Sequence, residues 1–369
     1  MTRARKALML SAGYGRGHHT AAHALAQELA HRGWQTGVAD VCADTHPGTF
    51  CLTQALYRSC TRHVPWLWGS LYRLLDTADW AQLIRLPVLA ACTRRLAALL
   101  EQEAPSLVVC TYPLFAYMLD ALANRSALRV PYAVVVTDAL YAGRAWVQAQ
   151  APLICLPDAS SMAAVQERFA LPTERLAAPG FPVPTEFTPN PHLPLPEEHG
   201  HGLHIVYSAH APLARVEADT EALLHAYPTL RLTLVAEDRA AKLSHLAQRH
   251  PERLRLYSTV RGMASLLRSA HLYIGKAGAA SVFEAYAAEV PMVVNYALPG
   301  QEEGNLHLLM RDGAGCYADS TAELLQTLRS LLAHSAAGWR RMRAAMHAAH
   351  RTGGAALTAD ALERRFFAP

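Results

Sequence analysis

The residues with the clearest chemical potential sit in two short runs, each following an apolar stretch. In the first, Ser11-Ala12-Gly13-Tyr14-Gly15-Arg16-Gly17-His18-His19 joins the apolar run at 6–12 to a helical pattern that begins near His18. Glycines at a strand-to-helix turn let backbone N–H groups approach a ligand, and the helix N-terminus adds positive potential, so Gly17 is a candidate binding position. A histidine in the first helical turn is placed to take the proton of a hydroxyl, which makes His18 a candidate general base. The plain alternative is a helix-capping histidine with no chemistry. A dinucleotide site is another reading, because Asp40 follows the second predicted strand where a ribose-binding acid would sit. The spacing is G-x-G-x-G, however, with His18 in place of the third element of G-x-G-x-x-G.

The second run is Lys276-Ala277-Gly278-Ala279-Ala280-Ser281-Val282-Phe283-Glu284-Ala285, after the apolar stretch 271–275. Small residues (Gly278, Ala279, Ser281) at a helix start, beside Lys276, suit a diphosphate. Glu284 falls two turns in, where a carboxylate can hold the vicinal hydroxyls of a ribose. The loop Pro299-Gly300-Gln301-Glu302-Glu303-Gly304-Asn305 follows. Its amide and carboxylate groups, among them Gln301, Glu302 and Asn305, have the chemistry that reads sugar hydroxyls. Taken singly, these pieces are also a helix cap and a polar loop.

The elements that must hold these runs alternate in a regular way. Apolar runs at 35–41, 106–111, 132–137 and 153–157 are separated by helical patterns, and the alternation resumes at 203–208, 231–236, 254–257, 271–275 and 291–296. Buried runs separated by helices predict parallel sheets with helices on both faces. The stretch from Phe50 to Leu100 predicts two or three helices and no strand. Between Phe181 and Leu203 the chain carries six prolines and three histidines, a composition that predicts a stiff linker. The expected organisation is an N-terminal domain over 1–183, a linker over 184–202, a second α/β domain over 203–335, and a C-terminal segment over 336–369, one long basic helix with packing back on the N-terminal domain as one option. Two such halves predict a ligand held in the cleft that their strand ends face.

Bulk properties agree with a packed globular chain: 369 residues, 51% hydrophobic and 17% charged. A formal charge of +4 is too small to argue for nucleic acid, but the charge is unevenly placed. Six arginines lie between Arg58 and Arg95, and five lie between Arg329 and Arg351 with no acid among them. Basic segments rich in Leu and Trp suit an anionic membrane surface, and solvated helix faces are the alternative. The seven cysteines include no C-x-x-C pair, which argues against a disulfide framework and a zinc site. The run Leu8-Met9-Leu10 is too short for a signal segment, and no stretch approaches the ~20 apolar residues of a spanning helix, so membrane contact is expected to be peripheral.

Ser11 to His18, Thr137-Asp138, Gly180-Phe181-Pro182-Val183, the run from Gly275 to Ala285 and Pro299 to Asn305 occur in the order and spacing of one family. The chain resembles the monogalactosyldiacylglycerol synthase and processive diacylglycerol glucosyltransferase group of glycosyltransferase family 28, over roughly 7–335. Tyr57 followed by Pro65-Trp66-Leu67-Trp68-Gly69-Ser70-Leu71-Tyr72 resembles that group's acceptor-side stretch. The resemblance implies a GT-B fold, two Rossmann-like doubly wound α/β domains facing a cleft. It implies direct displacement with inversion from a UDP-sugar to a lipid such as diacylglycerol. His18 would be the base, with His19 the less favoured neighbour, and Asp138 would orient or charge-balance it. Glu284 would hold the uridine ribose, and Gln301 and Glu302 the donor sugar. No metal or other cofactor is expected, no nucleic acid and no obligate protein partner, and the expected location is the cytoplasmic face of a membrane.

One departure stands out. The family's glycine-rich loop after the first strand of the second half is here Val206-Tyr207-Ser208-Ala209-His210-Ala211-Pro212, without glycine. Either His210 and Arg215 supply the phosphate contact, or donor binding is altered, or activity is lost. Two further readings stay open: a transferase for a non-lipid acceptor, and a non-catalytic descendant that binds UDP or membrane. Trp66, Trp68, Tyr72 and Trp80 are expected either as an interfacial helix face or as internal packing.

Overall fold

The computed structural model describes residues 5–126, 128–197, 202–260 and 262–368. The chain forms two compact units. The first takes residues through Thr185 together with 299–304 and the segment from Gly353 onward; the second takes 186–298 and 305–352.

The first unit runs β1 (Lys6–Leu10), α1 (Arg16–His31), β2 (Gln35–Ala39), α2 (Val41–Thr45), α3 (Pro47–His63), α4 (Pro65–Thr77), α5 (Trp80–Leu83), α6 (Pro87–Glu103), β3 (Leu107–Cys110), α7 (Pro113–Ala123), β4 (Tyr132–Val135), α8 (Arg144–Val147), β5 (Leu153–Cys155), α9 (Ala159–Phe169) and β6 (Leu176–Ala177). Its sheet has the order β2-β1-β3-β4-β5-β6, and every pairing is parallel. The central strands are apolar on both faces and fully buried, as a sheet covered by helices requires. Strand order reverses between β1 and β3, so the carboxyl ends of these two strands form the natural crevice. The region from Phe50 to Leu100 lies in four helices rather than two or three. Prolines 47, 65 and 87 open three of them, each at a position where the missing N–H costs nothing. Asp79 caps the fourth by accepting from the Gln82 N–H at 3.1 Å.

The second unit runs β7 (His204–Ser208), α10 (Leu213–Ala226), β8 (Arg231–Val235), α11 (Ala240–Arg249), β9 (Leu254–Tyr257), α12 (Met263–Ser269), β10 (Leu272–Lys276), α13 (Ala279–Ala288), β11 (Met292–Tyr296), α14 (Glu303–Arg311), β12 (Gly315–Tyr317) and α15 (Thr321–Ala349). Its parallel sheet has the order β12-β11-β10-β7-β8-β9. Here the reversal falls between β7 and β10, so the turn after β7 and the start of α13 share one crevice.

Three expectations differ from the structure. The proline-rich segment, expected as a linker between the halves, groups from Glu186 onward with the second unit: Asn190 donates to the Arg268 carbonyl at 3.0 Å, and His271 Nε2 bonds the Pro194 carbonyl at 2.9 Å. Residues 198–201 of that expected linker lie outside the described residues. The long C-terminal helix is two helices, broken where His350 and Gly353 take left-handed backbone (φ 45° and 72°). The second of them, α16 (Gly354–Phe367), belongs to the first unit and packs on α1, where Arg32 bonds Asp360 at 2.5 Å and Glu363 at 2.9 Å. Two short strands, β6 and β12, have no counterpart among the predicted runs.

Candidate functional site

In the first unit, the turn after β1 is held from below by Asp40. Its carboxylate accepts from the Gly13 N–H at 3.2 Å and from the Ala43 N–H at 3.0 Å. The acid that supported a dinucleotide reading is therefore spent on shaping the glycine turn. That turn delivers His18 to the first turn of α1, buried and beside the ends of β3 and β4.

His18 Nδ1 lies 2.9 Å from the Thr111 carbonyl oxygen. A carbonyl only accepts, so Nδ1 carries the hydrogen and Nε2 carries the lone pair. The Thr137 hydroxyl, 3.0 Å from the same Nδ1, adds a second polar neighbour. Tyr112 meets the imidazole edge-to-face at 5.1 Å and Trp146 packs at 5.8 Å, which fixes the ring plane. Sequence reasoning missed Thr111 and Thr137: a backbone carbonyl has no residue signature, and Thr137 stands out only as the neighbour of Asp138.

Asp138 accepts from the Trp146 indole N–H at 2.7 Å. Burial pushes its carboxyl up to about 6, the Trp146 bond opposes that, and the nearby Glu302 adds to it. Because the folded-state value is raised, the protonated form is favoured; the associated stability is present below the usual carboxylate range and is lost as pH rises through about 6. Asp138→Asn keeps an acceptor for Trp146 and removes the buried charge. It is expected to stabilise the protein by about 1–3 kcal/mol at pH 7.5, with the gain shrinking towards pH 4, while turnover falls. Urea titrations at both pH values check this; no gain at pH 7.5 contradicts a desolvated carboxylate.

His18 and Asp138 line a recess that opens to solvent. Its walls are mostly aromatic: Tyr14, Tyr57, Tyr72 and Tyr112, with Trp68, Trp80 and Trp146. Asp76 and Gln301 supply further polar groups. Trp68, Tyr72 and Trp80 thus face inward, and of the four residues expected as one face only Trp66 is strongly exposed, at 67%. Gln301 and Glu302, expected with the donor half, group instead with the first unit. Gly304 lets the loop settle on the turn after Asp138, since a Cβ there would collide with the Ala139 carbonyl. Gly17 lies in the first turn of α1, one residue before His18.

In the second unit, Gly278 is the N-cap of α13, whose first turn has no side-chain cap. Ala279 and Ser281 lie in that first turn and Glu284 in the second, half-buried. The Tyr273 hydroxyl bonds Ser208 Oγ at 3.0 Å and Ser281 Oγ at 3.2 Å, joining the ends of β7 and β10 to α13. Asn305, fully buried, donates to the Ala277 carbonyl at 3.0 Å and so fixes the turn before α13. The turn after β7 is rigid despite having no glycine: Arg239 bonds the carbonyls of Ala209 (3.2 Å) and Ala211 (2.5 Å). His210 on that turn has a buried Nδ1 without a partner, and burial, then Lys276, push its pKa down to about 4. Arg215 is committed elsewhere, to Asp219 at 2.6 Å and to the Ala318 carbonyl at 3.1 Å.

Residues 18–183 match the monogalactosyldiacylglycerol synthase family model, and residues 233–359 match the glycosyltransferase family 28 C-terminal domain. The chain belongs to glycosyltransferase family 28. Within it, the chain falls in the monogalactosyldiacylglycerol synthase and processive diacylglycerol glucosyltransferase group, and it is a glycosyltransferase. It is 27% identical over 349 residues to a processive diacylglycerol beta-glucosyltransferase of Bacillus cytotoxicus, covering 89% of this chain and 85% of the relative. A Bacillus cereus relative of the same name is 25% identical over the same shares. Among solved structures, Acinetobacter baumannii MurG aligns with TM-score 0.61 at 17% identity, covering 98% of this chain and 99% of that one. Medicago truncatula UGT71G1 complexed with UDP-glucose aligns with TM-score 0.60 at 12% identity, covering 98% of each chain. These likenesses give the GT-B fold to this family 28 enzyme.

Proposed function

We propose that the enzyme transfers a hexose from a UDP-sugar to a lipid acceptor such as diacylglycerol, with inversion, at the cytoplasmic face of an anionic membrane. The observation that carries this reading is His18, whose Nδ1 is locked on the Thr111 carbonyl within an aromatic recess. Its Nε2 lone pair would take the acceptor hydroxyl proton as that oxygen attacks the anomeric carbon. The bond from that carbon to the UDP oxygen breaks and the diphosphate departs with the electron pair; Lys276, His210 and the uncapped start of α13 are the groups assigned to hold it in this scheme. Glu284 holds the ribose in this scheme. No cofactor takes part.

Support for a lipid acceptor comes from the names of the relatives and from the surface. Leu52 and Leu56 of α3, and Trp66, Leu67, Leu71 and Leu74 of α4, are exposed between exposed arginines at 58, 73 and 85. Apolar side chains interleaved with cations fit an interfacial face. Among the described residues no helix is long and apolar enough to cross a membrane. The glycine-free turn at 209–212 favours one other reading, a UDP-binding descendant without turnover.

The deciding experiment is release of UDP from UDP-glucose and UDP-galactose, with and without vesicles of anionic lipid containing diacylglycerol. Release stimulated by diacylglycerol, above vesicles that lack it, is the expected result. UDP binding by calorimetry without any release points to the descendant, and release indifferent to vesicles points to a non-lipid acceptor.

A further inference from the structure

Helix α4 carries two different faces. Outward it presents Trp66, Leu67, Leu71 and Leu74. Inward, Trp68 donates its indole N–H to Gln301 Oε1 at 3.0 Å, a contact between residues 233 positions apart. The helix and the 299–304 segment meet closely around this bond. A Cβ on Gly69 would come within 2.8 Å of Pro299 Cβ and 3.2 Å of its carbonyl oxygen, so only glycine admits this approach. Gly300, at φ 78°, turns the loop against the ring of Tyr72. Tyr57 meets the Trp68 ring edge-to-face at 4.7 Å and Tyr72 packs at 6.4 Å, so the indole has little freedom to turn.

The bond also fixes what Gln301 can offer. With Oε1 accepting from Trp68, the amide must present its two Nε2–H donors elsewhere. The adjacent Glu302 carboxylate offers only acceptors when ionised. A donor beside an acceptor is the arrangement that distinguishes one hydroxyl configuration of a hexose from its epimer, because a mismatched hydroxyl leaves a buried group unpaired.

We propose that Trp68 is a positioning residue for donor-sugar selection: its N–H orients the Gln301 amide so that Nε2 donates to a hydroxyl of the nucleotide sugar's hexose. This rests on the reading of Gln301 as a donor-sugar contact. Trp68 thereby links the helix that carries the exposed apolar face to the choice of sugar, and the indole ring remains free to serve as a wall of the recess.

The test is steady-state kinetics of Trp68→Phe, Gln301→Ala and the double variant, with UDP-glucose and UDP-galactose varied at saturating lipid acceptor. Phenylalanine keeps an aromatic ring, smaller than the indole, and deletes the N–H. The expected result for Trp68→Phe is a donor KM raised about five- to tenfold at near-unchanged kcat. The preference between the two epimers narrows, while affinity for UDP alone and the dependence on lipid stay as in the parent. In the Gln301→Ala background the second substitution adds nothing, because the amide it orients is gone. Additive effects, or a change confined to the lipid dependence, would overturn the proposal while leaving Gln301 as a sugar contact. An unchanged donor KM in Gln301→Ala itself would remove the underlying reading, and with it the role of Trp68. Thermal melts of the three variants identify any that lose folding, and Trp68→His, which can restore an N–H donor, then serves as the rescue arm.

Discussion

His18→Ala is expected to lower turnover by about 10²–10⁴-fold, the usual worth of a positioned base, while UDP affinity stays within a few-fold. The first part follows from the tautomer. With Nδ1–H spent on the Thr111 carbonyl, the imidazole has one basic nitrogen left, and the Asp76 carboxylate in the same recess is paired with Arg168 at 2.8 Å. Asp138 lines the recess too, but its carboxylate is engaged by Trp146. The second part follows from placement: His18 belongs to the first unit, whereas the residues read as holding uridine diphosphate lie on the turn after β7, on β10 and on α13 of the second. Single-turnover kinetics with calorimetry of UDP binding separates the two. If binding falls in step with turnover, His18 is structural and the base lies elsewhere. Thr137→Val is the finer probe, since it leaves the Thr111 bond in place, and a modest loss is expected from it.

The parts of this enzyme that were legible in sequence are those whose signal is local. Ten of the strands follow from apolar runs of a few residues, because a parallel strand covered on both faces must be apolar throughout. His18 and the α13 run were legible because glycines and small residues cluster where a strand becomes a helix. Partnerships were not legible. The Trp68–Gln301 bond spans 233 positions, and Trp146 donating to Asp138 lies in a short helix with no period to mark it. The four-helix reading of 47–103 was available in Pro47, Pro65 and Pro87, which open helices as readily as they end them. The break before α16 was likewise signalled by Gly353-Gly354, overridden by the helical pattern on both sides. That segment matters to the site indirectly, since α16 braces α1, the helix whose first turn carries His18.

Asp219→Ala is expected to destabilise the protein by about 3–5 kcal/mol, the cost of removing one partner from a buried ion pair. Asp219 is fully buried on α10, and all of its acceptor capacity is used. Oδ1 takes Arg215 Nε at 2.6 Å and the Thr321 hydroxyl at 2.7 Å; Oδ2 takes the Tyr207 hydroxyl at 3.0 Å and Asn295 Nδ2 at 3.1 Å. One carboxylate thus ties α10 to β7, β11 and the start of α15, and Arg215 extends the tie to the Ala318 carbonyl after β12. Alanine would leave a largely buried guanidinium and three polar groups without their shared acceptor. Asp219→Asn keeps the shape but can accept at only one oxygen, so it should fall between the two, and urea titration of all three proteins gives the order. The same geometry answers the question raised by the glycine-free turn. Arg215 is committed within the second unit, so its loss should appear first in stability, which leaves His210 as the candidate for the phosphate contact proposed at that turn.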